Sequence, residues 1–141
     1  MPNVPVAAIV GIGPGNGGSL TRKFAEEGYQ VAMLSRSKES FEQYEREIDR
    51  ARGFVCDATD AQSVEKAFAE VRQDLGDVDV LIYNAGAGTW GDLEEVSADA
   101  FEACWRVNAL GFFHCAKAVV GPMVEKNDGA IAVIGASGPC G

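Results

Sequence analysis

The sequence has a single histidine, His114, and no two of its four cysteines (Cys56, Cys104, Cys115, Cys140) stand at C-x-x-C spacing. Zinc sites need clustered Cys or His ligands, so no metal is expected. The cysteines read instead as reduced thiols, buried or partly buried. Basic residues are scarce: 12 Lys and Arg stand against 21 Asp and Glu, a formal net charge of −9. Nucleic acid and anionic membranes recruit clustered positive charge, so neither is an expected partner. The N-terminal MPNVPVAAIVG lacks a basic lead, and its apolar run is too short for a signal peptide or a membrane span. The expectation is a soluble cytoplasmic protein.

Glycine is abundant, at 17 of 141 residues, and it gathers at loops. Apolar runs alternate with amphipathic stretches at short intervals. The runs are Val6–Val10, Gln30–Leu34, Gly53–Cys56, Val78–Tyr83 and Ala130–Ile134. Each is nearly continuous in apolar residues, as strands covered on both faces are. Between them, helical spacing predicts Ser19–Glu27 (Leu20, Phe24, Ala25), Glu39–Arg52 (Phe41, Tyr44, Ile48, Ala51) and Asp60–Leu75 (Val64, Ala67, Phe68, Val71, Leu75). A longer helix starts at Ser97 as N-cap and runs to about residue 124, with Pro122 expected to end or kink it near Val120. This alternation predicts an α/β fold, a three-layer αβα sandwich around a parallel sheet of about five strands. One domain accounts for the whole sequence.

The stretch VGIGPGNGG (10–18) puts five glycines directly after the first strand. A strand, a glycine turn and a helix make an anion site, because backbone N–H groups and the helix N-terminus point at whatever lies there. Three glycine frames compete. A literal G-x-G-x-x-G falls on Gly13, Gly15 and Gly18. A G-x-G-P-x-G frame starting at Gly11 fails at Asn16. The frame G-x-x-x-G-x-G falls on Gly11, Gly15 and Gly17, starts at the strand end and leaves Ser19 to begin the helix; it is the frame adopted. A tight turn that binds nothing is the plainer alternative.

The chain resembles the short-chain dehydrogenase/reductase family over its whole length. The resemblance rests on five motifs in order: the glycine frame, with Val10 where the family has Thr; Cys56-Asp57 at the end of the third strand; Asn84-Ala85-Gly86 at the end of the fourth; Asn108 in WRVNALGFF; and Ser137 in AVIGASG. It implies a Rossmann-type fold and hydride transfer between a nicotinamide cofactor and an alcohol or carbonyl carbon. It implies cofactor binding by Gly11, Gly15, Asn16, Gly17, Asp57, Asn84, Ala85 and Gly86, with Asp57 at the adenine. Asn108 and Ser137 are the implied catalytic residues. The long helix implies a homo-oligomer, and the substrate class implied is a small alcohol or carbonyl compound.

The second strand ends in Met33-Leu34-Ser35-Arg36-Ser37. An acid there would favour NAD through the ribose 2′-OH. Ser35 and Arg36 stand there instead, and an arginine clamps a 2′-phosphate through charge-assisted bonds. NADP(H) is therefore expected over NAD(H). The family's general acid/base is a tyrosine with a lysine four residues on. Tyr29, Tyr44 and Tyr83 lack that lysine, and no tyrosine follows Ser137. The sequence thus reads as the cofactor-binding half of an enzyme, with catalysis by these residues alone not expected. The alternative is a non-catalytic module that binds NADP or a partner.

Overall fold

The apolar run Val6–Val10 is buried at all five positions, as continuous hydrophobicity demands of a strand with cover on both faces. It is β1 in a computed structural model that describes residues 4–135. The other strands are β2 (Gln30–Ser35), β3 (Ala51–Val55), β4 (Val80–Tyr83) and β5 (Ala130–Val133). All pair in parallel, in the order β3-β2-β1-β4-β5. Helices α1 (Asn16–Glu26), α2 (Glu42–Glu47), α3 (Ala61–Asp74), α4 (Ala98–Trp105) and α5 (Gly111–Glu125) complete the expected three layers.

The strand alternation sorts the core into two halves. Val6, Ala8 and Val10 face Val64, Phe68 and Val71 of α3 and Cys115, Val119 and Met123 of α5. On the other face Ile9, Val31 and Met33 pack under Leu20, Phe24 and Ala25 of α1 and Phe41, Tyr44 and Ile48. Each fully buried Val, Ile or Met contributes about 1.5–3 kcal/mol relative to exposure. The chain runs outward on one side of β1 (β2, β3) and on the other (β4, β5). The order therefore reverses between β1 and β4, which opens a crevice at their C-terminal ends.

Several predicted boundaries move. The helix predicted over Glu39–Arg52 is a tight turn at Lys38–Ser40 followed by the six residues of α2. Ile48 turns extended, and Ala51 and Arg52 pair with Val31 and Ala32 of β2. Pairing with β2 satisfies their backbone groups inside the sheet, so β3 spans Ala51–Val55 rather than Gly53–Cys56. Helix α1 begins at Asn16, three residues before the predicted Ser19, so the end of the glycine run is its first turn.

Pro122 does not end the helix near Val120; α5 continues to Glu125. The interruption lies earlier. Arg106–Leu110 forms a π-helical turn, and the Gly111 N–H bonds the Arg106 carbonyl five residues back. With it, Ala98–Glu125 is one 28-residue helix, long and apolar enough in composition to cross a membrane. Cys115, Val119 and Met123 pack one face of its second half against the sheet.

Candidate functional site

The crevice at the switch point is an open cleft of ≈ 640 Å³. It lies where a parallel sheet of this order binds ligands, outside the carboxyl ends of the strands.

One wall is the glycine turn. Gly11 has φ +96°, and a Cβ there would lie 2.5 Å from Ala85 N. A Cβ on Gly17 would lie 2.3 Å from the Gly11 carbonyl oxygen. Both positions are thus glycine because backbone meets backbone. Gly15 differs: its Cβ direction is open for 4 Å. No neighbour within the chain requires that glycine, and it borders the cleft. Gly15 is also the N-cap of α1, with no capping side chain and no acid in the first turn. The helix N-terminus therefore presents unsatisfied N–H groups and a partial positive charge to the cleft. Gly18, the last position of the literal G-x-G-x-x-G frame, is required by something else. A Cβ there would lie 2.3 Å from the Tyr44 hydroxyl.

The opposite rim comes from the ends of β2 and β3. Ser35, Arg36, Ser37 and Ser40 line it, followed by Asp57, Ala58 and Thr59. Arg36 is exposed and has no ion-pair partner among the described residues. The Asp57 carboxylate is held by one oxygen: its Oδ1 accepts from Thr59 N (3.0 Å) and Thr59 Oγ1 (2.7 Å). Its own N–H donates to Ser63 Oγ at 2.9 Å.

The end of β4 supplies Asn84, Ala85 and Gly86. Asn84 is tied to β1 twice, through its N–H to the Val10 oxygen (2.8 Å) and its Nδ2 to the Gly11 oxygen (3.0 Å). The residue before it, Tyr83, is fully buried and donates its hydroxyl to the Val107 carbonyl of the π turn. Gly111 leaves room for that hydroxyl, which would lie 2.3 Å from a Cβ at this position.

All ten predicted cofactor residues, Gly11, Gly15, Asn16, Gly17, Ser35, Arg36, Asp57, Asn84, Ala85 and Gly86, line this one cleft. Asn108 sits beside it rather than in its lining. Its carboxamide is engaged at both ends by Ala87, with Nδ2 donating to the oxygen (2.8 Å) and Oδ1 accepting from the N–H (3.0 Å). Ser137 lies outside the described residues.

Cys56 also lines the cleft, but its thiol is pushed up to about 12 by burial and then by the charges of Asp57 and Asp60. It is a neutral thiol at physiological pH and a poor nucleophile. Burial raises Cys115 and Tyr83 in the same direction. Cys104 is half-buried. Residues the sequence reading missed are Ser40 and Thr59 in the rim, and Thr21, whose buried hydroxyl donates to the Gly17 oxygen at 2.8 Å. The Asp57-x-Thr59 spacing was a usable signal, because an Asp commonly accepts from the backbone two residues on.

Chemically, the cleft offers N–H donors at one end and a free guanidinium across from them. That suits an elongated ligand with two separated anionic groups.

A family model described as short chain dehydrogenase matches residues 5–138. D-threitol dehydrogenase of Mycolicibacterium smegmatis is 32% identical over 130 residues, covering 89% of this chain and 50% of the relative. Among solved structures, a variant of actinorhodin polyketide ketoreductase with NADPH has a TM-score of 0.90 at 28% identity, over 94% of this chain and 53% of that one. An alcohol dehydrogenase from the archaeon Thermococcus sibiricus, complexed with 5-hydroxy-NADP, has a TM-score of 0.85 at 32% identity, over 91% and 57%. The chain spans about half the length of the curated relatives it matches.

Proposed function

Because the chain belongs to the short-chain dehydrogenase family, whose members bind NAD(P), we propose that it supplies the cofactor-binding half of an NADP(H)-dependent oxidoreductase acting on a small alcohol or carbonyl compound. The observation that carries this reading is the convergence of ten predicted residues on one cleft at the switch point. The fit is physical as well as positional: the open face of Gly15 and the uncapped α1 N-terminus leave a cradle that a side chain would fill.

In this reading Gly11, Gly15, Asn16 and Gly17 hold the pyrophosphate, and Asp57 holds the adenine. Ser35 and Arg36 hold the 2′-phosphate, and Asn84, Ala85 and Gly86 form the wall at the β4 end. The bound dinucleotide supplies the hydride chemistry. Asn108 keeps the segment after Gly86 in place and supports proton relay, and Ser137 holds the substrate oxygen. The preference for NADP(H) rests on Arg36, which is exposed and has no ion-pair partner among the described residues, and on the lack of an acid at Ser35. A bond to a charged group contributes roughly 1.5–3 kcal/mol, which is on the order of ten- to a hundredfold in affinity. We place the whole protein in the cytoplasm, as a homo-oligomer through the long helix, where Phe101, Trp105 and Phe113 are exposed.

One observation favours a second reading, a non-catalytic module that binds NADP or a partner. No tyrosine among the 141 residues has a lysine four positions on.

Calorimetric titration of the purified chain with NADPH and with NADH tests the first claim. Tight NADPH and weak NADH binding is the expected result. A folded chain that binds neither overturns the nucleotide reading. NADPH oxidation with a panel of ketones, assayed on the whole protein and not on this half alone, then separates enzyme from module, since only the enzyme turns over.

A further inference from the structure

Ile12 of the glycine turn packs against the core, and three carbonyls of the turn and the first turn of α1 are held from outside. Three side chains do this. Asn84 Nδ2 bonds the Gly11 oxygen and Thr21 Oγ1 bonds the Gly17 oxygen, one at each end of the turn. The middle is held by Tyr44, whose hydroxyl donates to the Gly13 oxygen at 3.0 Å. The same oxygen accepts the Gly18 N–H at 2.9 Å, so Tyr44 bonds the carbonyl that closes the turn into α1.

Tyr44 is itself held. Its half-buried ring packs against the Ile9–Met33 side of the core. The Arg22 guanidinium lies over the ring, 5.4 Å from its centre, and pairs with Glu47 one turn further along α2. Gly18 has no side chain where the hydroxyl sits. Tyr44 does not line the cleft; it touches the turn from behind.

We propose that Tyr44 is a positioning residue for dinucleotide binding: its hydroxyl fixes the Gly13–Gly18 turn so that the N–H groups at the start of α1 face the pyrophosphate. This deepens the reading given above and rests on it. A Cβ on Gly18 would also lie 2.7 Å from the Gly13 oxygen, so the tyrosine and the turn's own backbone both call for glycine there, which accounts for a literal G-x-G-x-x-G beside the frame in use.

The test compares wild type with Tyr44→Phe, which keeps the ring, its packing and its cation–π contact and removes only the hydroxyl. NADPH, NADH and adenosine 2′-monophosphate are titrated by calorimetry. Removing one such bond is expected to weaken NADPH and NADH alike by about three- to tenfold. Adenosine 2′-monophosphate has no pyrophosphate, so its affinity should stay within about twofold on the same ground. Unchanged dinucleotide affinity overturns the proposal. So does an equal loss for all three ligands, which would mean that α2 had simply loosened. If wild type binds none of them, the dinucleotide reading falls. The turn-fixing role is then judged separately, by amide hydrogen exchange at Gly18, whose N–H bonds the Gly13 oxygen. Exchange several-fold faster in Tyr44→Phe supports that role, and unchanged exchange overturns it.

Discussion

Asn108 and Ala87 exchange two hydrogen bonds, 2.8 and 3.0 Å long, between a side-chain carboxamide and a backbone peptide 21 residues away. The carboxamide stands in the π turn Arg106–Leu110, and Ala87 follows directly on Asn84-Ala85-Gly86. From the sheet side, Tyr83 bonds the Val107 carbonyl of the same turn. The widened turn is thus fastened at adjacent residues, once to the end of β4 and once to the segment beyond it. Asn108 gives the cleft wall a fixed position whether or not it also serves in a proton relay.

The Asn108–Ala87 exchange predicts an asymmetry between near-isosteric substitutions. Asn108→Ala should cost about 1 kcal/mol, since both bonds are at the surface. Asn108→Asp retains the acceptor for the Ala87 N–H but sets a carboxylate against the Ala87 oxygen. It should therefore be at least as destabilising near neutral pH. Lowering the pH should partly restore it, because a protonated carboxyl donates to that oxygen. Thermal melts of both variants between pH 4 and 8 measure this. Equal, pH-independent stability would show that the exchange contributes nothing.

Tyr83→Phe should lower stability by about 0.5–1.5 kcal/mol, because it removes the bond from the buried hydroxyl to the Val107 oxygen of the π turn. For a domain of this size that is a drop of several degrees in melting temperature, at roughly 2–8 °C per kcal/mol. A melting temperature within a degree of wild type would mean that water replaces the hydroxyl.

The two kinds of glycine in the turn should separate by substitution. Gly17→Ala drives a Cβ to 2.3 Å from the Gly11 oxygen, a backbone conflict that should cost about 1–3 kcal/mol in stability. A Cβ at Gly15 meets no atom of the chain within 4 Å, so Gly15→Val should fold. It fills the cradle at the α1 N-terminus, so nucleotide binding should be lost. Circular dichroism and NADPH titration on both variants decide it. A folded Gly15→Val that retains affinity would rule out the Gly11-Gly15-Gly17 frame.

Arg36→Asp should weaken NADPH on the order of ten- to a hundredfold and leave NADH nearly unchanged. The new acid repels a 2′-phosphate but can accept from a 2′-OH. Parallel titrations of the two nucleotides provide the measurement. Equal loss of both would remove Arg36 from the 2′-phosphate role.

Much of this architecture was legible in the residues themselves. A tight glycine turn between β1 and α1 was legible because Gly11 and Gly17 are fixed by backbone-to-backbone approach, which no other residue type permits. Arg36 was legible because strand β2 ends in an apolar run whose next residues must reach the crevice. The failures share a cause. Phe41, Tyr44, Ile48 and Ala51 do share one core half, but periodicity reports which residues face the core, not the backbone that carries them there. Ile48 reaches it from a loop and Ala51 from a strand. The Tyr44–Gly13 and Asn108–Ala87 bonds join residues 31 and 21 positions apart, and no local pattern signals such pairs.

Buried neutral acids make the fold sensitive to alkali. Cys56 is pushed from 9.0 to about 12 by burial and by Asp57 and Asp60, and burial raises Cys115 and Tyr83 as well. The unfolded chain releases these protons at their ordinary values, while the folded chain keeps them. Above pH 9 the folded state therefore binds more protons than the unfolded one, and stability falls as pH rises. The contribution is fully present below pH 9 and, for Cys56, is lost progressively toward pH 12. Lys126 acts in the same direction, because its bond to Asp79 raises it and is lost when the amine deprotonates. Melting temperatures should thus fall between about pH 9 and 11. In Cys56→Ala/Cys115→Ala, measured under reducing conditions, the baseline is lower but the fall should be shallower, since the two thiols no longer contribute. An unchanged slope would assign the alkaline sensitivity to Tyr83 and the lysines instead.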